Sequence, residues 1–185
     1  MSPIGSPITH IVQHYSATYP DVDVTALDID RWHRQRGWEG IGYHYFIRRD
    51  GTVEKGRPET VKGAHVEGQN TGKIGICLAG GIDRATGPNV GVDNRTPAQI
   101  KAQIALIRDI LTRHPGAKIV GHKDLMSTQC PGYDAAAWWA SVNRPVPRPP
   151  EPVPVLAVGD SAPARPGLLT AILAALRGIF GPKGA

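Results

Sequence analysis

Five short runs along the first half and middle of the chain have the patterns expected of β-strands. Some alternate between apolar and polar side chains, as a half-buried strand does, and others are continuous apolar or β-branched runs typical of a buried strand. A tight turn at residues 49–52 indicates that the run after it returns beside the run before it as a hairpin. The predicted strands are residues 8–14, 42–48, 53–55, 73–79 and 117–121.

Three segments combine helical spacing with start and stop signals. They are residues 25–37, 97–113 and 135–142. In the longest of them, Thr96 is placed as the N-cap, Pro97 occupies the first helical position and Gln99 completes a capping box. Strands mixed with helices of this length predict an α/β fold with a central mixed β-sheet flanked by helices.

Two of these segments also carry predictions about which side chains face the core. In the helix at residues 25–37, capped by Thr25, we expect Leu27, Ile29 and Trp32 to point inward. In the helix at residues 97–113 the helically spaced apolar positions are Ile100, Ile104, Ile107 and Leu111.

The composition of the chain changes abruptly after this region. Residues 145–166 contain eight prolines in 22 positions, which is typical of an extended, semi-rigid spacer. The chain is therefore predicted to consist of a catalytic domain at 1–143, a proline-rich linker at 144–166 and a C-terminal amphipathic helix at 167–185. The composition of the full chain, 41% hydrophobic and 20% charged, fits a soluble globular protein.

The C-terminal segment concentrates its large apolar side chains on one side when it is drawn as a helix. Its apolar run of residues 168–180 is too short to span a bilayer but suits an interfacial helix. Three interpretations stay open: docking onto the domain of the same chain, membrane or envelope contact through residues 167–181, and self-association.

Net charge and the N-terminal sequence exclude some classes of partner and location. Lys and Arg number 21 against 16 Asp and Glu, giving a modest +5 that is not clustered as a nucleic-acid-binding face requires. The N-terminal residues lack the basic and apolar regions of a secretory signal. We therefore predict synthesis in the cytoplasm and no nucleic-acid partner.

Three residues of metal-ligating type lie where predicted strands end. His14 closes the first strand, His122 follows the strand at 117–121, and Cys130 lies eight residues later before a Pro-Gly turn. Two imidazoles and a thiolate are suitable zinc ligands, and three protein ligands leave one position open. Spacing alone leaves a second interpretation open, in which both histidines are hydrogen-bonded at the surface and Cys130 is a buried thiol.

Eight sequence segments favour the metal site over the interpretation with surface histidines and a buried thiol. The segments HYSAT, RWHRQRGWEGIGYHYFIRRDGTVEKGR, GAHVEGQN, IGICLAGGID, TPAQ, GHKD, CPGYD and WW follow one another in this order. Together they resemble the zinc-dependent N-acetylmuramoyl-L-alanine amidases of the type 2 superfamily. That superfamily includes the peptidoglycan recognition proteins and, as the most similar group, the amidase endolysins ("lysozymes") of short-tailed coliphages.

The resemblance implies a role for each of six residues. His14, His122 and Cys130 fall on the zinc ligand positions, and Tyr43 falls on an active-site tyrosine. Thr128 occupies a place where the coliphage enzymes have a catalytic lysine and active peptidoglycan recognition proteins have threonine. His65 matches a histidine that lines the substrate groove.

Tyr45, two residues after Tyr43, is expected to have a structural role rather than a catalytic one. Alternation along the predicted strand places Tyr45 on the same face as Tyr43, as a structural residue. His44 is expected to point the opposite way.

The resemblance further implies hydrolysis of the amide bond between N-acetylmuramic acid and L-alanine in peptidoglycan. We expect a phage or prophage endolysin that is made in the host cytoplasm and reaches the cell wall with outside help. Two alternatives remain: a cytosolic amidase that recycles muropeptides, and a peptidoglycan-binding module without catalysis.

Overall fold

The computed structural model of the chain describes residues 1–5 and 7–143. Within these residues the chain forms one five-stranded sheet, three α-helices and a 3₁₀ turn at His122–Asp124. The strands are β1 (His10–Tyr15), β2 (Tyr45–Ile47), β3 (Val53–Lys55), β4 (Lys73–Leu78) and β5 (Lys118–Gly121). The helices are α1 (Ala26–Gln35), α2 (Pro97–Arg113) and α3 (Ala135–Val142).

The sheet is mixed, with the strand order β3-β2-β4-β1-β5. β1 is parallel to both β4 and β5, β2 is parallel to β4, and only the β2–β3 hairpin is antiparallel. The predicted α/β fold with a central mixed sheet is confirmed. Because the parallel strands all run in one direction, their carboxyl ends meet at one edge of the sheet, where α/β proteins place their ligands.

Both faces of the sheet are covered by helices, so its central strands are buried on both sides. One face packs against α2 and α3 through a cluster that includes Ile11, Ile76 and Ile107. The other face packs against α1 through a cluster that includes Ile29 and Phe46. The two clusters hold β1 and β4 in a dry environment, which fixes the positions of their carboxyl ends.

Helix α1 presents a different side to the core from the one expected. Ile29 and His33 are 3% and 7% exposed, whereas Leu27 is 65% exposed and Trp32 is 38% exposed. Ile29 and His33 are four residues apart and share one face, while Leu27 lies about 200° around the helix from Ile29. The inward prediction is confirmed for Ile29 and wrong for Leu27 and Trp32.

Strand β2 begins later than predicted, at Tyr45 instead of residue 42. Ahead of it the backbone still bonds to the segments beside β2: the carbonyl of Tyr43 accepts the N–H of Arg57, and the N–H of His44 donates to the carbonyl of Gly75. The ring of His44 accepts the N–H of Gly75, which interrupts the regular ladder, so strand alternation does not relate Tyr43 to Tyr45. Tyr43 packs with the α1-side cluster and Tyr45 with the opposite cluster, so the prediction of a shared face is wrong.

Helix α2 has the predicted bounds and capping box. Its most buried face is rotated relative to the predicted apolar stripe: Ile107 is fully buried, while Ile100, Ile104 and Leu111 are partly exposed. Two glutamines are fully buried instead, because the amide of Gln99 donates to backbone carbonyls and the amide of Gln103 donates to Gln13 and Tyr133.

The predicted linker at 144–166 and the amphipathic segment at 167–185, with its membrane contact at 167–181, lie outside the described residues. They stay predictions, as do the domain boundaries. None of the helices within residues 1–5 and 7–143 has the length and apolar content needed to cross a membrane.

Candidate metal centre

The carboxyl edge of the sheet brings together three side chains that are far apart in sequence. His14 lies near the end of β1, His122 opens the 3₁₀ turn directly after β5, and Cys130 lies on the following loop. The N–H of Lys123 donates to the carbonyl of Cys130 at 2.7 Å, which closes this loop at its base. The Asp124 carboxylate accepts the N–H of Gly121 at 2.7 Å and fixes the turn itself.

The ligating atoms of His14, His122 and Cys130 all lie within 4.8 Å of one another. Nδ1 of His14 is 3.7 Å from Sγ of Cys130, and the rings of His14 and His122 have centroids 4.6 Å apart. His14 and Cys130 are 1% and 6% exposed. The structure thus groups the three residues that the sequence singled out as metal ligands.

Burial keeps this cluster electrically neutral in the protein alone. Desolvation, followed by the neighbouring His65 and His122, holds the pKa of His14 well below its usual range, and burial also lowers the pKa of His122. Burial raises the pKa of the Cys130 thiol to about 12, although the N–H of Tyr15, 3.3 Å from the sulfur, acts in the opposite direction. Neutral imidazoles have lone pairs ready for a cation, and a cation in turn favours the thiolate.

One observation fits a metal ion better than a purely structural cluster. Nε2 of His122 is buried and has no hydrogen-bond partner among the described residues. Buried polar atoms are nearly always paired, so an atom of this kind beside two other donors needs an explanation. A donor set of two nitrogens and one sulfur is suited to zinc, and three protein donors leave a position open.

Tyr43 lies directly against this centre. Its ring centroid is 5.1 Å from that of His14, and the side chain is half-buried. Burial, then the thiols of Cys77 and Cys130, raises the pKa of Tyr43 well above its usual range. The phenol therefore keeps its proton at neutral pH and can donate a hydrogen bond. Its predicted catalytic role remains a prediction.

Thr128 lies on the loop that carries Cys130, and its side chain is exposed. Its hydroxyl oxygen accepts the N–H of Cys130 at 3.3 Å, so the hydroxyl hydrogen is left to donate elsewhere. Met126 of the same loop lines an open groove that also contains the rings of Tyr43 and His65, whereas Thr128 is not among the lining residues. The catalytic assignment of Thr128 stays a prediction.

A groove of about 550 Å³ reaches the cluster at His122, which is one of its lining residues. Its lining includes the rings of Trp38, Tyr43 and His65 together with the charged side chains of Arg36 and Glu67. His65 is only 7% exposed, and both of its ring nitrogens have partners: Nδ1 faces Nε2 of His14 at 3.0 Å, and Nε2 faces the carbonyl of Lys73 at 3.4 Å. The predicted substrate contact of His65 stays a prediction. A hydrogen bond from substrate to either ring nitrogen of His65 would require the present contact of that nitrogen to break.

His33 is a groove residue that sequence reasoning missed. Its Nδ1 accepts the N–H of Gly42 at 2.9 Å, and its ring lies 5.6 Å from that of Tyr43. Burial, then Arg36 and Arg57, lowers its pKa to about 4, so the ring is neutral and able to accept. The available signal was its four-residue spacing from Ile29, which places both on the buried face of α1.

Comparison with known proteins agrees with this fold. The family model described as N-acetylmuramoyl-L-alanine amidase matches residues 4–133. The chain belongs to this amidase family. The resemblance seen in the sequence is therefore confirmed, and the matched region contains all six of the predicted site residues.

Relatives of this amidase include phage proteins and a solved bacterial structure. The endolysin of Klebsiella phage KP32 is 41% identical over 131 residues, covering 71% of this chain and 85% of that protein. The endolysin of Escherichia phage T7 is 40% identical over 129 residues, covering 70% and 83%. The structure of the N-acetylmuramoyl-L-alanine amidase LysC from Clostridium intestinale URNW matches with a TM-score of 0.64 and 35% identity, covering 77% of this chain and 89% of that one.

Proposed function

We propose that this chain is a zinc-dependent N-acetylmuramoyl-L-alanine amidase that cleaves peptidoglycan as a phage or prophage endolysin. The observation that carries the proposal is the cluster of His14, His122 and Cys130 within 4.8 Å beside an open groove. The family and the endolysin relatives support the same substrate.

The reaction is the addition of water across an amide. The bond between the lactyl carbonyl of N-acetylmuramic acid and the nitrogen of L-alanine breaks, giving a carboxylate and a free amine. His14, His122 and Cys130 would hold the zinc ion, which supplies Lewis acidity and activates water near neutral pH. The groove residues would hold the glycan and the stem peptide so that the scissile carbonyl lies next to the metal site.

Two neutral hydroxyls are available to stabilise the negative charge that develops on the carbonyl oxygen. The phenol of Tyr43 is held protonated beside His14 and would donate to that oxygen. The hydroxyl of Thr128 would donate from the loop of Cys130. A neutral donor is weaker than the ammonium group of a lysine at the same place, since a charge-assisted hydrogen bond is roughly twice as strong.

The proposal is tested by the release of soluble peptide and new N-terminal L-alanine from purified sacculi. Zinc-loaded protein should release both, and the chelator-stripped protein and Cys130→Ser should release neither. Added zinc should restore the stripped protein but not the variant, because a serine hydroxyl is a poor replacement for the thiolate ligand.

Cys77→Ala is the matched control, since Cys77 is the only other cysteine and lies buried in β4. It should still bind zinc and release peptide. Binding to sacculi without release by the zinc-loaded protein would contradict the proposal and leave a recognition module. Release from soluble muropeptides but not from sacculi would instead indicate a recycling amidase.

A further inference from the structure

The ring nitrogen of His14 that does not face Cys130 has a partner of its own. Nε2 of His14 lies 3.0 Å from Nδ1 of His65, and both side chains are buried. The two residues are separated by 51 positions in sequence, so the contact is made by the fold. A hydrogen bond between two neutral imidazoles requires one donor and one acceptor, and its direction determines the tautomers of both rings.

The other contact of His65 sets that direction. Nε2 of His65 faces the carbonyl oxygen of Lys73 at 3.4 Å, and a carbonyl can only accept. The hydrogen of the His65 ring is therefore on Nε2, and its Nδ1 is left as an acceptor. His14 must then carry its own hydrogen on Nε2 and donate it to His65. This leaves the lone pair of His14 on Nδ1, which is the nitrogen 3.7 Å from Sγ of Cys130.

The His65 ring is held in a slot that depends on glycines. A Cβ atom at Gly63 would clash with Cδ2 of His65, and one at Gly75 would lie 2.6 Å from the same atom. The backbone of His65 is fixed as well, because the carboxamide oxygen of Asn70 accepts its N–H at 2.8 Å. The ring thus has little freedom to turn away from His14.

We propose that His65 is a positioning residue that fixes the tautomer and ring orientation of His14, so that Nδ1 of His14 is presented to the metal. The proposal rests on the proposed function for the metal site but concerns metal affinity rather than turnover. Partners of this kind behind a metal-ligating histidine typically change affinity by about 10- to 100-fold when they are removed.

The first test measures the zinc dissociation constant by competition with a chromophoric chelator, with no substrate present. His65→Ala should bind zinc about 10- to 100-fold more weakly than the unaltered protein. His65→Asn should recover most of the affinity, because its carboxamide oxygen can take the place of Nδ1 as the acceptor. His10→Ala is the matched control: it removes a histidine from the other end of β1 and should leave zinc affinity unchanged.

A second test reads the tautomers directly in the unaltered protein, and so does not depend on a variant that folds. Long-range ¹H–¹⁵N correlation of the histidine rings in zinc-free protein should find the hydrogen on Nε2 of both His14 and His65. A hydrogen on Nδ1 of either ring would overturn the proposal.

The two roles suggested for His65 give different kinetic results. If His65 only contacts substrate, His65→Ala will bind zinc as tightly as the unaltered protein and raise KM, and the positioning role is wrong. If the chain proves to have no amidase activity, zinc affinity and tautomers are still measurable. Failure of the proposed function is therefore distinguishable from failure of this inference.

Discussion

At the scale of single residues, the two tyrosines of the sequence GYHYF have separate surroundings. The Tyr43 ring lies against His14 in the groove, whereas the hydroxyl of Tyr45 donates to the Glu59 carboxylate at 2.6 Å on the other face of the sheet. The pair therefore provides an internal comparison between a tyrosine in the site and one outside it.

Tyr43→Phe should lower kcat by about 10²-fold or more, the usual cost of removing one donor to a developing oxyanion. Zinc affinity should not change, because Tyr43 is not among the three ligands. The measurement is release of N-terminal L-alanine from sacculi together with a zinc titration. Tyr45→Phe should keep its kcat, and an equal loss of activity in both variants would argue against a catalytic role for Tyr43.

The grouping of His14, His122 and Cys130 could be predicted from the sequence because each residue follows a recognisable strand or lies in a motif of the family. The contact between His65 and His14 could not, since no local pattern shows that two positions so far apart will meet. The burial of His33 is missed in spite of its spacing from Ile29, because Leu27 and Trp32 in the same helix are more apolar and are chosen first.

At the scale of elements, boundaries that depend on local sequence signals could be predicted, and boundaries that depend on long-range contacts could not. The bounds of α2 were predictable because the capping box of Thr96 and Gln99 is contained within four residues. The start of β2 was not, because Arg57 and Gly75, distant in sequence, decide where the backbone of residues 43–44 makes its hydrogen bonds.

Glu59 connects strand β2 to the C-terminal end of helix α2. Its carboxylate accepts from Tyr45 of β2, from Arg113 at the end of α2, and lies 3.4 Å from the ring of His114. Burial alone would raise the pKa of Glu59, but the hydrogen bonds from Arg113 and Tyr45 outweigh it and lower the pKa to about 2. The carboxylate is therefore stabilised in the folded state relative to the unfolded chain.

Glu59→Gln should reduce the free energy of unfolding at pH 7 by about 1–3 kcal/mol, because it removes hydrogen bonds to a charged group. The unfolded pKa of a glutamate is about 4.3, so this contribution is complete above that pH and is lost as the pH falls toward 2. Urea unfolding of the metal-free proteins at several pH values measures it.

The difference in the free energy of unfolding between the unaltered protein and Glu59→Gln should therefore become smaller as the pH falls. Asp109→Asn is the control, because Asp109 also pairs with Arg113 but is 62% exposed, and exposed pairs contribute about 0–1 kcal/mol. A difference that is constant from pH 7 to pH 3 would mean that Glu59 acts through packing rather than charge.

At the scale of the whole molecule, both core clusters and all six predicted site residues lie within residues 4–139. A truncation after residue 144 should therefore fold, bind zinc and hydrolyse sacculi. Circular dichroism, zinc titration and peptide release check this, and loss of the fold on truncation would show that the C-terminal segment docks onto the domain. Co-sedimentation of both forms with anionic liposomes separates envelope contact from self-association.

Because β1 lies between β4 and β5, the centre of the sheet joins the start of the chain to residues that a ribosome makes much later. Parallel pairings of this kind are slow to form, since they close long loops before any contact compensates for the lost entropy. The nascent chain cannot complete its sheet until residues 118–121 have emerged, and Cys130 follows them. The sheet and the cluster of His14, His122 and Cys130 are therefore complete only when the domain is almost fully synthesised.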